Sequence, residues 1–505
     1  MKHDKLTTAP ASPAEDTDLS TRVLFVSSEV SPVMKTGGLG EVAGSLPAAL
    51  AELGDDVLVM MPAYRDALER MGPVEKLPVA LDHFGEPVEF LKGRLPRNDL
   101  PVLLVAIESL FDRPGNPYLG PDGESWPDNA DRFCAFARAV AEVAMDRVGM
   151  DWQPELVHCN DWQSALVPAL LAQEEDRPAT MFTIHNLAYQ GVFPTDVLDL
   201  LQLPESILGM DGLEFHGQIS FMKGGLLYAD RVTTVSATYA REIQTEEYGC
   251  GLDGVLTQRA EHLSGILNGI DIHVWDPASD PKIAAHYDRE DLDGKQMNKQ
   301  ALQKEMGLPE VADVPIYSMI ARLIEQKGID LVIDAVPSLL KLQVQLVILG
   351  DGEARFEQAL RDLAEEHPEQ VAVYIGYNEG LAHRITAGSD VFLMPSRFEP
   401  CGLTQMHCMR YGTPPIVRAT GGLADTVRDV GMVDIDPLQA NGFVFEDASV
   451  DALLHAMGHA RVIYDQPERW RTLQQVGMDG DYTWLASAIA YRMSYQQAIA
   501  ERTVS

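Results

Sequence analysis

Several features that would place the chain in a membrane or in an oxidising compartment are missing from its 505 residues. No run of about 18 uncharged apolar residues appears, so no membrane-spanning helix is expected. The first twenty residues lack the apolar stretch of a secretory signal. The five cysteines form no Cys-x-x-Cys pair and no zinc-like spacing, which predicts reduced thiols and no structural metal. We therefore expect a cytoplasmic protein with a disordered tail over residues 1–20.

Positive charge is also scarce. The chain has 39 Lys and Arg against 76 Asp and Glu, a formal net charge of −37. Such a field repels nucleic acid and anionic membranes, so neither is an expected partner. It also repels any phosphorylated ligand at long range, so a phosphate site must be locally basic. Adaptation to high salt and a merely well-solvated acidic surface both account for the composition.

Short apolar, β-branched runs alternate with longer helical segments, which predicts parallel sheets with crossover helices. The pattern runs once over the first half of the chain and restarts after residue 271, which favours two doubly wound α/β domains. We place them at residues 21–264 and 268–478, with the segment 271–287, rich in Asp and Pro, as the connection. The predicted strands are residues 22–28, 56–62, 101–107, 155–159, 180–185, 231–235, 315–323, 344–350, 371–376, 390–395 and 413–419.

The glycine-rich segment KTGGLGEVAGSLP (35–47) follows the first predicted strand and opens a helix. Its glycines let the backbone approach a ligand, and the free N–H groups of a helix start favour phosphate. GLGEVA also fits a loose dinucleotide fingerprint, so a nicotinamide-dependent oxidoreductase is an alternative. That function needs an acidic residue at the end of the second strand, where Met60, Met61 and Pro62 stand. A purely structural turn is the third interpretation.

Further polar residues follow other predicted strands, where ligands of open α/β sheets bind. Asp161 and His185 are placed in this way in the first half. In the second half, Arg322 and Lys327 would suit a diphosphate leaving group, although a solvated surface pair is the simpler interpretation. Glu399 follows a strand as well, and Thr420, Gly421 and Gly422 form a second backbone-amide loop.

Five strings occur in order from about residue 22 to the chain end, namely KTGGLGEVAGSLP, HNLAYQG, ILNGID, ARLIEQKG and PSRFEPCGLTQ…TGGLADT. Together they resemble the bacterial and plant glycogen/starch synthase family. The resemblance implies a GT-B fold, in which two Rossmann-like domains face each other across a deep cleft. It also implies that a final helix, residues 481–505, returns to the N-terminal domain.

The resemblance implies a catalytic set of Glu399, Lys327, Arg322, His185 and Asp161. Glu399 resembles the carboxylate that holds the donor glucose, and Arg322 and Lys327 resemble the pair that neutralises the leaving diphosphate. His185 matches the residue whose backbone carbonyl faces the anomeric carbon, and Asp161 matches a polar residue of the cleft.

A second set is implied for substrate binding. Lys35, Gly37 and Gly38 resemble N-domain contacts to diphosphate and glucose, and Tyr377 is similar to the aromatic residue that stacks on adenine. The whole set is Lys35, Gly37, Gly38, Glu41, Asn268, Tyr377, Cys401, Gly402, Leu403, Thr420, Gly421 and Gly422.

Two positions depart from the family pattern. Glu41 stands where the family usually has Asp, one methylene shorter, which leaves the acceptor-side geometry open. His407 stands eight residues after Glu399, where the broader group of retaining enzymes has a second Glu, and it is given no catalytic role.

The expected activity is transfer of glucose from ADP-glucose to the end of an α-1,4-glucan with retention, without cofactor or metal. A sucrose synthase or a cell-surface glycosyltransferase is the nearest alternative of the same architecture. An NAD-dependent oxidoreductase and a non-catalytic glycan-binding protein are alternatives from other classes.

Overall fold

The structure is a computed structural model that describes residues 20–79, 81–83, 85–431 and 439–504. The predicted tail, residues 1–20, lies outside the described residues apart from Ser20. Within the described part of the chain, no helix is both long and apolar enough to cross a membrane.

The strands are, in chain order, β1 Arg22–Val26, β2 Asp56–Pro62, β3 Glu75–Lys76, β4 Leu81–His83, β5 Glu86–Arg94, β6 Pro101–Ala106, β7 Leu156–Asn160, β8 Ala179–Ile184, β9 Val192–Pro194, β10 Glu214–Phe215, β11 Gln218–Ser220, β12 Arg231–Thr234, β13 Leu263–Gly265, β14 Ile316–Ile320, β15 Gln345–Gly350, β16 Val371–Ile375, β17 Val391–Met394, β18 Pro415–Arg418 and β19 Phe443–Phe445.

The helices are α1 Gly38–Glu52, α2 Arg65–Met71, α3 Glu108–Phe111, α4 Asn129–Ala144, α5 Leu166–Leu171, α6 Leu198–Leu201, α7 Phe221–Tyr228, α8 Ala237–Glu242, α9 Asp253–Gln258, α10 Asp293–Glu305, α11 Ile329–Leu339, α12 Ala354–Glu366, α13 Glu379–Gly388, α14 Thr404–Arg410, α15 Gly421–Thr426, α16 Val450–Tyr464, α17 Pro467–Met478 and α18 Trp484–Val504.

The first unit is built on a sheet of order β13-β12-β8-β7-β1-β2-β6-β5-β3, with β4 paired to β5. The strands from β13 to β6 are parallel, and β1 lies between β2 and β7. Strands β1, β7 and β8 in the middle of the sheet are buried on both faces, which is why they appear in the sequence as largely apolar runs. The antiparallel strands β3 to β5 form one edge, and their mixed polar and apolar sequence gave no such signal.

The second unit has a sheet of order β16-β15-β14-β17-β18-β19, in which every pair is parallel. The strand order reverses between β14 and β17, and ligands of such sheets bind outside the carboxyl ends of the strands at this point. The two sheets confirm the predicted α/β class with two Rossmann-like doubly wound domains. Residues 266–292, all of them described, connect the units without a helix or strand.

The last helix, α18, lies against the first unit, where it contacts α1, β7 and β8. Tyr491 and Tyr495 are fully buried in the core of that unit. The Tyr495 hydroxyl lies 2.7 Å from His158 Nδ1, and His158 Nε2 lies 2.6 Å from Thr183 Oγ1. Burial lowers the pKa of His158 to about 3, so the ring is neutral and offers one donor and one acceptor to these hydroxyls.

The units also touch through α8 and α15. Ser236 Oγ donates to the carbonyl of Pro400 at 2.6 Å, and Thr238 Oγ1 donates to Asp425 Oδ1 at 2.6 Å. The first contact joins the residue before α8 to the loop that carries Glu399, and the second joins α8 to α15. One side of the cleft is therefore tied together by buried or half-buried hydrogen bonds.

We expect Tyr495→Phe to lower the free energy of unfolding by about 1–3 kcal/mol, because it leaves His158 Nδ1 buried without a partner. Chemical denaturation measures this change. Tyr374→Phe is the matched control, since Tyr374 is 41% exposed on β16, and it should change stability by less than about 0.5 kcal/mol. Equal stability of Tyr495→Phe and the unmodified chain would contradict the importance of this hydrogen bond.

Candidate active site

The segment between β1 and α1 is shaped by a buried carboxylate, Glu29, which is 3% exposed. Glu29 Oε2 accepts hydrogen bonds from the backbone N–H groups of Thr36 at 2.5 Å and Gly37 at 3.2 Å. Glu29 Oε1 accepts from Thr36 Oγ1 at 2.6 Å and from the Tyr118 hydroxyl at 2.5 Å. One carboxylate thus fixes the backbone that follows Lys35.

The glycines of this segment differ in what surrounds them. A Cβ added to Gly44 would lie 2.6 Å from the Ser31 carbonyl oxygen, so Gly44 is required by the packing of the protein itself. A Cβ added to Gly37 or Gly38 would meet no atom within 4 Å. Both residues are exposed at the start of α1. Protein packing does not explain these two glycines, whereas the close approach of a ligand to the helix start would.

Lys35 and Glu41 form an ion pair at the same place, with Lys35 Nζ 3.0 Å from Glu41 Oε2. Across the cleft, His407 Nε2 of α14 lies 3.5 Å from Glu41 Oε1. Burial raises the pKa of the Glu41 carboxyl, but His407 and Lys35 outweigh burial and hold that pKa at about 2. Glu41 is therefore an anion throughout the ordinary pH range.

Asp161 and His185 are brought together by the ends of β7 and β8. The Asp161 Oδ1 atom accepts a hydrogen bond from the backbone N–H of His185 at 2.8 Å. Asp161 has a φ of 56°, a left-handed backbone that is uncommon outside glycine and is often found at functional sites. Burial raises the pKa of Asp161 to about 7, although its backbone hydrogen bonds act in the opposite direction.

The His185 ring is oriented by Asn160. The Asn160 amide donates to the Val26 carbonyl at 3.0 Å, so its Oδ1 atom is left to face His185 Nε2 at 2.9 Å. An amide oxygen only accepts, so Nε2 carries the proton. Burial lowers the pKa of His185 to about 3, and the ring is neutral with Nδ1 unprotonated.

In the second unit, Lys327 and Glu399 form an ion pair, with Lys327 Nζ 2.6 Å from Glu399 Oε2. Ser396 Oγ donates to the same Glu399 oxygen at 3.0 Å. Lys327 follows β14 and Glu399 follows β17, so the pair sits at the point where the strand order reverses. Gly328 permits this approach, because a Cβ there would lie 2.2 Å from the Pro395 carbonyl oxygen.

Arg322 is exposed after β14, and its Nη1 atom lies 3.2 Å from the hydroxyl of Tyr189 in the first unit. Tyr377, after β16, is 78% exposed. It lies near Lys35 of the first unit, as does Glu379 of α13. Cations of both units thus reach one cleft.

The remaining predicted residues lie around the Glu399 loop. Asn268 is buried, its Oδ1 atom has no hydrogen-bond partner, and its backbone hydrogen-bonds with Cys401. Gly402 has a φ of 70°, and Leu403 precedes the first residue of α14.

The Thr420–Gly422 loop already has partners for its backbone amides. The Gly421 N–H donates to both oxygens of Glu242 at 3.1 Å, and Thr420 Oγ1 donates to Glu242 at 2.9 Å. The Gly422 N–H donates to the Glu399 carbonyl at 3.1 Å. A Cβ on Gly421 would lie 2.0 Å from that carbonyl oxygen, so these glycines hold the Glu399 loop close.

Sequence reasoning missed the residues that orient the predicted ones. Glu29 offered a signal, since it is an acidic residue just after a strand. Glu242 and Tyr118 offered none, because their roles depend on contacts between distant segments. Ser396 lies three residues before Glu399, but nothing in the sequence marks it as a partner of that carboxylate. In the described part of the chain, no group of three or more His, Cys, Asp and Glu residues is arranged to hold a metal ion.

Two family models match the chain. Residues 22–258 match the starch synthase catalytic domain, and residues 303–472 match glycosyl transferases group 1. The two matches correspond to the two units of the structure.

Curated relatives match along nearly the whole chain. Glycogen synthase 1 of Methylococcus capsulatus is 50% identical, with 95% of this chain and 97% of that protein covered. Glycogen synthase 2 of Nitrosococcus oceani is 51% identical, with coverage of 95% and 98%. The glycogen synthase of Halorhodospira halophila is 48% identical, with coverage of 95% and 100%.

Among solved structures, the catalytic domain of starch synthase IV from Arabidopsis thaliana, bound to ADP and acarbose, has a TM-score of 0.87 at 33% identity. The match covers 95% of this chain and 100% of that one. The sucrose-phosphate synthase of Thermosynechococcus elongatus has a TM-score of 0.58 at 19% identity, which shows the shared fold alone.

We expect Glu29→Gln to lower the kcat/KM of glucosyl transfer about 10–100-fold, since an amide cannot accept all four hydrogen bonds and small displacements of reacting groups are costly. Steady-state kinetics measures this loss. Glu52→Gln, at an exposed position of the same helix α1, is the matched control. Full activity of Glu29→Gln would show that the segment after Lys35 does not depend on this carboxylate.

Proposed function

We propose, since this chain belongs to the glycogen and starch synthase family and is a glycosyltransferase, that it transfers glucose from ADP-glucose to the non-reducing end of an α-1,4-glucan with retention. Synthesis of glycogen is the activity that its relatives share. We further propose that it acts in the cytoplasm, where nucleotide sugars are made and where its five free cysteines stay reduced.

The observation that carries the proposal is the meeting of cations from both units in a chain of net charge −37. Lys35 stands before α1, and Lys327 and Arg322 follow β14, all on the cleft. Such cations are suited to the charge that develops on a departing diphosphate. The Arabidopsis structure that this chain resembles is bound to ADP and to the oligosaccharide acarbose, which supports the same ligand classes here.

We assign Glu399 to the donor glucose. Its Oε2 atom is engaged by Lys327 and Ser396, and no described residue donates a hydrogen bond to its Oε1 atom. Oε1 is therefore available to a sugar hydroxyl. The Lys327 charge, held 2.6 Å from Glu399, keeps both groups in place before the donor arrives.

In the proposed reaction, the bond between the anomeric carbon and the phosphate oxygen breaks to an oxocarbenium-like state. The departing phosphate accepts the proton of the incoming 4-hydroxyl on the same face, and the new glycosidic bond forms with retained configuration. Lys35, Arg322 and Lys327 stabilise the leaving phosphate, so no cofactor or metal is included in this proposal.

The alternatives receive less support. A nicotinamide-dependent oxidoreductase needs an acidic side chain at the end of β2, where Met60 and Met61 are fully buried and followed by Pro62. A non-catalytic glycan-binding protein would not account for Lys35, Arg322 and Lys327, the three cations that we assign to the diphosphate. An assay of glucose transfer from the nucleotide sugar distinguishes a transferase from the oxidoreductase and from the non-catalytic binding protein.

The donor nucleotide is tested by radiolabelled transfer to glycogen from ADP-glucose and from UDP-glucose. Because we assign the exposed side chain of Tyr377 to stacking on adenine, we expect ADP-glucose to have a kcat/KM at least about 10-fold higher, which corresponds to roughly 1.4 kcal/mol. Comparable kcat/KM for the two donors would rule out this assignment of the nucleotide.

Lys327→Ala tests the phosphate chemistry. We expect a loss of about 3–4 kcal/mol of transition-state stabilisation, or roughly 10²–10³ in rate, mainly in kcat. Lys341→Ala, which removes an exposed lysine elsewhere in the same unit, is the control, and circular dichroism confirms folding. A folded Lys327→Ala variant with normal kcat and a raised donor KM would mean that Lys327 only binds the ground state.

A further inference from the structure

Two buried polar atoms face each other across the cleft at a distance longer than that of an ordinary hydrogen bond. They are Glu41 Oε1 of α1 and His407 Nε2 of α14, which are 3.5 Å apart. The two side chains are 13% and 6% exposed. A buried carboxylate oxygen opposite a buried imidazole nitrogen is costly unless a hydrogen bond joins them in the working state of the molecule.

His407 is held by the second unit and by the connection between the units. Its ring stacks on Trp275 with ring centroids 3.9 Å apart and an interplanar angle of 9°. The other face of Trp275 stacks on His383 at 3.8 Å and 9°. His383 is fixed in turn by Asp280, whose Oδ2 atom lies 2.7 Å from His383 Nδ1. The plane of the His407 ring is therefore fixed by contacts that do not involve Glu41.

Glu41 in turn holds Lys35. Its Oε2 atom lies 3.0 Å from Lys35 Nζ, and the Lys35 side chain is 43% exposed with no other hydrogen bond among the described residues. The direction of the Lys35 side chain thus depends on the position of the Glu41 carboxylate. The other oxygen of that carboxylate, Oε1, faces His407 Nε2 of the second unit.

We propose that His407 is a positioning residue for transfer: when the units close over the donor, His407 Nε2–H donates to Glu41 Oε1, and the bridged carboxylate holds Lys35 Nζ against the donor diphosphate. The inference rests on the proposed role of Lys35 at the phosphate. It makes the catalytic orientation of Lys35 conditional on closure, since neither unit supplies the whole chain of contacts alone.

The charges around the Glu41–His407 pair are compatible with a positioning role for His407. Burial lowers the pKa of His407, although Glu41 opposes the change, and the lowered pKa favours the neutral ring over the cation. A neutral donor fixes Glu41 without cancelling the negative charge that attracts Lys35. The other charged or titratable groups that act on this pair are Lys35, Arg97 and His383.

His407→Phe tests the proposal, because phenylalanine keeps an aromatic ring against Trp275 but lacks the Nε2–H donor. We expect kcat to fall about 10-fold, with the donor KM changed less than about 2-fold and the midpoint of thermal unfolding nearly unchanged. His407→Gln, which restores a donor N–H, should recover kcat to within about 3-fold of the unmodified enzyme. His455→Phe, at an exposed position of α16, is the matched control.

A double-mutant cycle separates positioning from packing. Glu41→Gln should also lower kcat about 10-fold, and His407→Phe should add almost nothing in the Glu41→Gln background. If the His407→Phe variant folds poorly, a second cycle that combines Glu41→Gln with His407→Gln tests the same pair of side chains. If kcat of the double variant falls by the product of the two single losses, the two residues act independently and the proposal is overturned. Full kcat in a folded His407→Phe enzyme would overturn it as well.

Lys35→Ala distinguishes failure of this inference from failure of the proposed function. If Lys35→Ala lowers kcat and His407→Phe does not, only the positioning role of His407 is wrong. If Lys35→Ala leaves kcat intact, the assignment of Lys35 to the diphosphate is wrong, and the inference about His407 is overturned with it.

Discussion

A strongly acidic chain that uses an anionic donor has to place its few cations accurately, and the cleft depends on this constraint. Lys35 is paired with Glu41, and Lys327 with Glu399, at 3.0 and 2.6 Å. Each carboxylate reduces the net attraction for phosphate but fixes its lysine before the donor binds. Preorganised charge in a closed cleft is worth more at the transition state than mobile charge in water, because little reorganisation is left to do.

The glycines of the loops that precede α1 and α15 serve different purposes, although both loops appear in the sequence as Gly-Gly. Gly37 and Gly38 border open space, which leaves room for a ligand at the start of α1. Gly421 and Gly422 border the Glu399 and Cys401 carbonyls, at 2.0 and 2.1 Å from an added Cβ. The second loop therefore shapes the protein around Glu399, and Glu242 of the first unit closes it from the other side.

The sequence was sufficient to predict the parallel strands, because strands buried on both faces are continuous apolar runs such as Val23–Val26. The five ordered strings predicted the family by resemblance, and the polar residues that follow the parallel strands predicted where a ligand binds. The sequence did not predict the antiparallel edge around β5, which is half polar. Nor could it predict the stack of His383, Trp275 and His407, because these residues come from three segments that only tertiary packing brings together.

If cations from both units meet at one diphosphate, a crystal structure of the enzyme with ADP will show it. We expect the terminal phosphate to lie within about 3 Å of Arg322 and Lys327, with Lys35 approaching from the first unit. A terminal phosphate bound away from Lys327, or a closed complex in which Lys35 points away from the phosphate, would show that the cations do not act together on the donor.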